Sequence, residues 1–205
     1  MELKDINLSE IFPNLTSNEI AELEGYQKDL DVLDDEKISI QFNNKGSNHA
    51  ILVMAKIFDS SNSFVKIFAR DFNGQISNNQ LYLTCLRKFL DRDKNNSVSV
   101  IFENDPNPDS LALELLKKER TKNSKRISLK KATKEQLEEF KKYLSNEDGI
   151  IHFTLGDNSE KKFDKYRCET DTKNYTAILN FDDQEFCSDL NYLFKILDTN
   201  ATVVN

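Results

Sequence analysis

The stretch Ser97-Val98-Ser99-Val100-Ile101-Phe102 is too apolar to face water on either side, which marks a strand inside a sheet rather than at its surface. Its neighbours extend the pattern. Residues 64–68 read as a second buried strand, and Leu81, Leu83, Leu86, Phe89 and Leu90 recur at helical spacing between the two. Ahead of them, Ala50, Ile51, Val53, Met54, Ile57 and Phe58 form the apolar face of a helix with Asn48 as its expected cap. Downstream, Pro106 and Pro108 open a helix through Leu111, Leu113, Leu115 and Leu116. A strand near 127–129 follows, then a helix capped at Thr133 that carries Leu137, Phe140 and Leu144. Strands and helices alternating at this spacing predict an α/β class with a mixed, mainly parallel sheet and helices on both faces. Past residue 150 the rhythm changes. Residues 150–155, 162–168 and 175–180 are strand-like and separated only by polar turns at 156–158 and 170–172, which predicts an antiparallel set. A closing helix over 183–197 turns Phe186, Leu190, Leu193, Phe194 and Leu197 inward, with Asp182, Asp183 and Glu185 at its positive end.

The whole chain is 205 residues, 38% hydrophobic and 31% charged, enough for one domain with a substantial core. Only 5 Gly, 3 Pro and 3 Cys exclude collagen-like, low-complexity and disulfide-scaffold classes. The N-terminus lacks a basic start followed by an apolar stretch, and no run reaches the roughly 18 apolar residues of a membrane span, so a cytoplasmic protein without membrane contact is expected. Cys85, Cys168 and Cys187 are isolated and read as reduced thiols rather than metal ligands. No Gly-rich loop precedes a Lys-Ser or Lys-Thr pair, and no cofactor is expected. Abundant Asn, Lys and Ile point to an AT-rich prokaryotic genome.

Charge divides the chain unevenly. The net charge is -7, yet residues 1–37 hold eleven acids against Lys4, Lys28 and Lys37. Residues 117–134 hold Lys117, Lys118, Arg120, Lys122, Lys125, Arg126, Lys130, Lys131 and Lys134 against Glu119 alone. The first segment is expected to be an acidic amphipathic arm, 1–37, ahead of a single α/β domain, 38–205. Within the arm Thr16 and Glu19 have the spacing of a capping box, and Ile11, Phe12, Leu15, Ile20 and Leu23 are candidate anchors for a protein partner or a second copy of the chain. The second segment is a candidate rim for phosphate backbones, although no aromatic is interleaved with its cations to stack on bases.

From Asn48 onward the order helix, strand, helix, strand, helix, strand, helix, three strands, helix resembles one half of a phospholipase D-like domain. The stretch Ile150-Ile151-His152-Phe153-Thr154-Leu155-Gly156-Asp157-Asn158, with Ala177 to Glu185 after it, aligns with that superfamily's catalytic region. The resemblance puts His152 where the family has its nucleophile and Thr154 where it has a lysine. Ser159 stands at the acidic position, with Asp157 near it. A threonine hydroxyl offers no positive charge to a phosphate, so the motif is not intact. The resemblance therefore implies a non-catalytic binding or regulatory subunit of a prokaryotic protein assembly, of the kind that a defence or toxin operon encodes. Two alternatives stay open. One is a phosphodiester-cleaving or nucleotide-processing enzyme with an altered site at His152 and Asp157; the other is a nucleic-acid-binding accessory protein.

Overall fold

Strands β1 (Phe42–Asn44), β2 (Phe64–Ala69), β3 (Ser97–Phe102) and β4 (Ile127–Lys131) come first in the chain, followed by β5 (Ser145–Asn146), β6 (Gly149–Ile150), β7 (Phe153–Asp157), β8 (Phe163–Asp171), β9 (Thr176–Asn180) and β10 (Thr202–Val203). Helices α1 (Leu8–Ile11) and α2 (Ser17–Asp35) precede the sheet. Between and after the strands lie α3 (Gly46–Ser60), α4 (Gln80–Arg92), α5 (Leu111–Lys122), α6 (Lys134–Lys141) and α7 (Gln184–Asp198). This is a computed structural model, and it describes residues 6–72, 74–146, 149–171 and 174–204. The first five residues of the expected arm and Thr172 of the expected turn lie outside the described residues.

One mixed eight-stranded sheet, ordered β1-β9-β8-β7-β2-β3-β4-β10, organises the molecule. Parallel pairing is confined to β2 with β3 and β3 with β4. The other neighbours run antiparallel, so the parallel part is smaller than the sequence rhythm predicts. The physical reason lies after α6: the chain re-enters the sheet beside β2 rather than beyond β4, and returns through short turns that allow only antiparallel neighbours.

Alternation along the strands feeds two cores. Val65, Ile67, Val98, Val100 and Phe102 face α3, α4 and α5, whereas Phe68, Ile101, Phe153 and Leu155 face α6 and α7. The expected central residues, from Ile51 and Met54 through Val100 to Phe194, are buried. So are all three cysteines, as free thiols, and burial pushes Cys85 and Cys168 up to about 12.

Two sequence expectations need correction. Helix α3 does not start at Asn48; it starts at Gly46, whose φ of +75° lets the chain leave β1 directly into the helix, with Lys45 at the cap position. The acidic arm is also no free element. Thr16 and Glu19 form the expected capping box, and α2 then packs on α3. Leu8, Phe12, Leu23, Tyr26, Leu30 and Leu33 join the core shared with α3, while Ile11, Leu15 and Ile20 lie against it. Of the five proposed partner anchors, Phe12 and Leu23 are buried inside the chain, and Ile11, Leu15 and Ile20 are partly buried against it. The arm's acids are partly paired there as well, with Lys56 buried between Asp31 at 2.8 Å and Asp34 at 3.2 Å.

Candidate functional site

Where the parallel strands β2 and β3 end, the chain turns out of the sheet, and the antiparallel strand β7 begins beside them. Register brings four polar side chains to this edge. Phe153 lies opposite Cys168 and Thr154 opposite Arg167, so His152 meets Glu169 one step further along, where the Glu169 N–H donates to the His152 carbonyl at 2.9 Å. With a side-chain period of two, His152 and Thr154 share a face, and so do Arg167 and Glu169. Glu103 arrives from the end of β3, its N–H donating to the Ala69 carbonyl at 2.9 Å.

The result is a closed network. His152 Nε2 lies 2.8 Å from Glu103 Oε2, and its Nδ1 lies 3.1 Å from Glu169 Oε2. Arg167 Nη1 donates to Glu169 Oε1 at 3.1 Å, Arg167 Nε to Asn44 Oδ1 at 3.1 Å, and Arg167 Nη2 to the Tyr175 carbonyl at 3.3 Å. Asn44 Nδ2 donates to that same carbonyl at 2.6 Å, tying in the edge strand β1. Tyr175 itself sits at a φ of 55°, an uncommon conformation for a non-glycine residue.

Burial is the largest influence on His152 and acts to lower its pKa. The hydrogen bonds and charges of Glu103 and Glu169 together outweigh it and hold the imidazole above its ordinary value. Glu169 stays below the usual carboxylate range despite its own burial, through His152 and Arg167. Glu103 is lowered chiefly by its hydrogen bond to His152. Two carboxylates flanking one imidazole favour a proton on both ring nitrogens, and in that imidazolium form the ring has no lone pair to offer.

This network forms one wall of a cleft of about 190 Å³ on the α3–α4 side of the sheet. Met54, Ile67, Phe68, Phe72, Ile76 and Tyr82 make the apolar part, and Thr154, Arg167, Glu169 and His152 the polar part, with Arg70 and Asp71 also lining it. The position, outside the carboxyl ends of parallel strands, is where open α/β sheets hold ligands.

Asp157, paired with His152 in the sequence reading, is not here. It ends β7 at the opposite edge of the sheet, roughly five residues or about 16 Å away along the strand. There Oδ1 accepts the N–H groups of Asn62, Ser63 and Phe64 at 3.0, 2.8 and 2.8 Å. Gly156 beside it allows β7 to approach α3, because a Cβ there would collide with Ser61 Oγ. Glu103, Arg167 and Glu169 escaped the sequence reading. The one signal to be had was in β8, where Lys165, Arg167 and Glu169 place charges at every second position of an otherwise buried strand.

The cations of 117–134 do not form one rim. Arg126 donates to the carbonyls of Leu90, Asp93 and Asn96, and Arg120 to that of Val204. Lys122 pairs with Glu119, Lys130 with Asp198 and Lys131 with Asp105. Among the described residues no cluster of His, Cys, Asp and Glu is arranged to hold a metal ion, and no helix is long and apolar enough to cross a membrane.

No family model matches the chain, and no curated protein does. Solved structures do show similar folds. TrmBL2, an archaeal chromatin protein whose structure shows a novel mode of DNA binding, superposes with a TM-score of 0.52 at 13% identity, over 90% of this chain and 62% of that one. Nuc, a phospholipase D family member from Salmonella typhimurium, gives 0.46 at 10% identity, over 81% of this chain and 99% of its own. Phosphatidylserine synthase from Haemophilus influenzae gives 0.43 at 12%, over 80% and 39%. The present chain therefore spans less than two thirds of the TrmBL2 chain, and at such identities the likeness is one of fold.

Proposed function

We propose that the chain is a non-catalytic binding or regulatory subunit of a prokaryotic protein assembly, built on a phospholipase D-like half-domain whose reactive histidine has become a structural cation. The carrying observation is the pair of carboxylates on His152, Glu103 at 2.8 Å and Glu169 at 3.1 Å. A histidine nucleophile needs one unprotonated nitrogen aimed at the phosphorus, and here both nitrogens are committed as donors. Thr154, at the position of the lysine, adds no charge for a developing phosphorane. The order of helices and strands from α3 to α7 supports the half-domain reading, because it follows the order expected from the resemblance with the separate β5–β6 pair added after α6.

The test is turnover of bis-p-nitrophenyl phosphate by the full chain, with and without added divalent metal. No turnover above buffer is expected. Hydrolysis that vanishes in His152→Ala would overturn the reading and restore the enzyme alternative.

A second reading, nucleic-acid binding, is favoured by the fold shared with TrmBL2, a chromatin protein. The internal pairing of Arg120, Lys122, Arg126, Lys130 and Lys131 counts against it. Electrophoretic mobility of duplex DNA at low salt decides it, with a retarded band that weakens steeply with salt as the supporting result.

A further inference from the structure

We infer that the cleft beside His152 receives a small planar molecule of no net charge that carries an amide-like edge. This deepens the non-catalytic reading and rests on it: the site holds its ligand without breaking it.

Size comes first. The cleft, about 190 Å³ and open to solvent on one side, is large enough to seat a single ring with substituents.

Charge comes second. The charged groups around the cleft are His152, Arg167 and Arg70 on one side of the balance, with Glu103, Glu169 and Asp71 on the other. With His152 held as an imidazolium they cancel. A phosphate or carboxylate arriving there would gain an attraction to Arg167 only against Glu169, which already lies 3.1 Å from the guanidinium.

Polar complementarity is the third line. Tyr82 and Thr154 both line the cleft; neither hydroxyl is hydrogen-bonded to a described residue, and neither is among the fully buried polar atoms that lack a partner, so each is reachable from the cleft. A ligand seated there would be the partner of both. Beside Thr154, the Arg167 guanidinium and the Glu169 carboxylate set donor and acceptor next to each other. A group carrying N–H and C=O side by side answers both. Phe72 and Tyr82 supply flat apolar surfaces, which suit the faces of a planar ring better than a branched aliphatic body.

The experiment titrates nicotinamide and uracil, two uncharged rings with amide edges, into the full chain by calorimetry or saturation-transfer NMR. Inorganic phosphate and toluene serve as the charged and the purely apolar comparison. Saturable binding of either ring, below about 10 mM, is expected, with phosphate silent and toluene weaker. Tyr82→Phe and Thr154→Val remove only a hydroxyl from the cleft, and each should weaken ring binding about fivefold while circular dichroism stays native. Absence of binding by both rings to the folded chain overturns the inference. So does equal binding of phosphate, or ring binding that neither variant weakens. Failure here leaves turnover of bis-p-nitrophenyl phosphate as a separate readout. Turnover lost in His152→Ala would defeat the non-catalytic reading itself, whereas no turnover with no binding defeats only the ligand.

Discussion

Replacing Asp157 separates two roles of one carboxylate, and the structure gives each a size. Its Oδ1 accepts three N–H groups from the chain entering β2, while its Oδ2 is buried with no partner among the described residues. In Asp157→Ala the Asn62 N–H keeps the carbonyl of residue 157 at 3.1 Å, but Ser63 and Phe64 are deprived of their acceptor. Two bonds to a charged acceptor, offset by relief of the unpartnered oxygen, set the destabilisation at about 2 to 4 kcal/mol. Asp157→Asn keeps an oxygen for all three donors and removes the buried charge, so it should stay within about 1 kcal/mol of the parent at pH 7.

The pH dependence has a definite sign. Burial raises the Asp157 pKa above its ordinary 3.8, and the three N–H groups oppose burial without cancelling it. A raised carboxyl favours folding in its protonated form, so that stabilisation is present at low pH and is lost as pH climbs from about 4 through the folded-state value. The parent should therefore exceed Asp157→Asn by most near pH 4, and the gap should shrink toward pH 7. Urea unfolding of the three proteins at a series of pH values measures it. A gap that widens with pH, or an Asn variant as weak as the Ala variant, would show that the charge and not the acceptor geometry holds β2, and the reasoning would fail.

Around His152 the linkage runs the other way for the two partner types. The raised imidazole stabilises below about pH 6.5 and loses that contribution as pH rises through its folded-state value, whereas the lowered Glu103 and Glu169 stabilise above about pH 4.5 and lose theirs as pH falls. Thermal melting should peak between those limits, and His152→Ala should flatten the alkaline decline while lowering stability by about 3 to 5 kcal/mol through two uncompensated carboxylates; an unchanged alkaline limb would contradict the imidazolium. In α2, Leu30 is fully buried against α3, so Leu30→Ala should cost about 2 to 5 kcal/mol in chemical unfolding, and a neutral result would mean that the arm does not dock.

How much of this could be read beforehand depended on the range of the interaction. Thr16 with Glu19 is a contact three residues apart, and that capping box formed as its spacing implies; Thr133 caps α6 as expected, with Gln136 completing a box that the sequence reading does not name. The strand–helix alternation placed the elements because burial imposes its period on the local sequence. The partners of His152 were hidden for the opposite reason. Glu103 is 49 positions away and Glu169 is 17, and only the register of β7 against β8, with the ending of β3 beside them, brings either near. The fate of the arm was hidden too. Leu23, Tyr26, Leu30 and Leu33 mark a stripe that must be covered, but whether α3 or another molecule covers it is set by the exposed face of α3, which no local pattern declares.

The basic stretch shows most clearly why contiguity in sequence is not contiguity in space. Helix α5 runs back across the sheet from the carboxyl edge of β3, so Arg120 and Lys122 lie in its last turn, near the start of β4. The chain then reverses. Arg126 caps the turn at the start of β4 through three backbone carbonyls, whereas Lys130 and Lys131 are carried along β4 to the carboxyl edge, about 13 to 16 Å from Arg126. Cations that look like one patch in the sequence are therefore divided, with Arg120, Lys122 and Arg126 at one end of the sheet and Lys130 and Lys131 at the other, and Lys122, Lys130 and Lys131 are paired with Glu119, Asp198 and Asp105. A phosphate backbone laid on either end would meet fewer positive charges than the sequence implies, and its affinity falls with every phosphate that stays without a cation. The same division leaves Lys131, held by Asp105, as the member of the stretch whose strand ends on the side where β3 delivers Glu103 to His152.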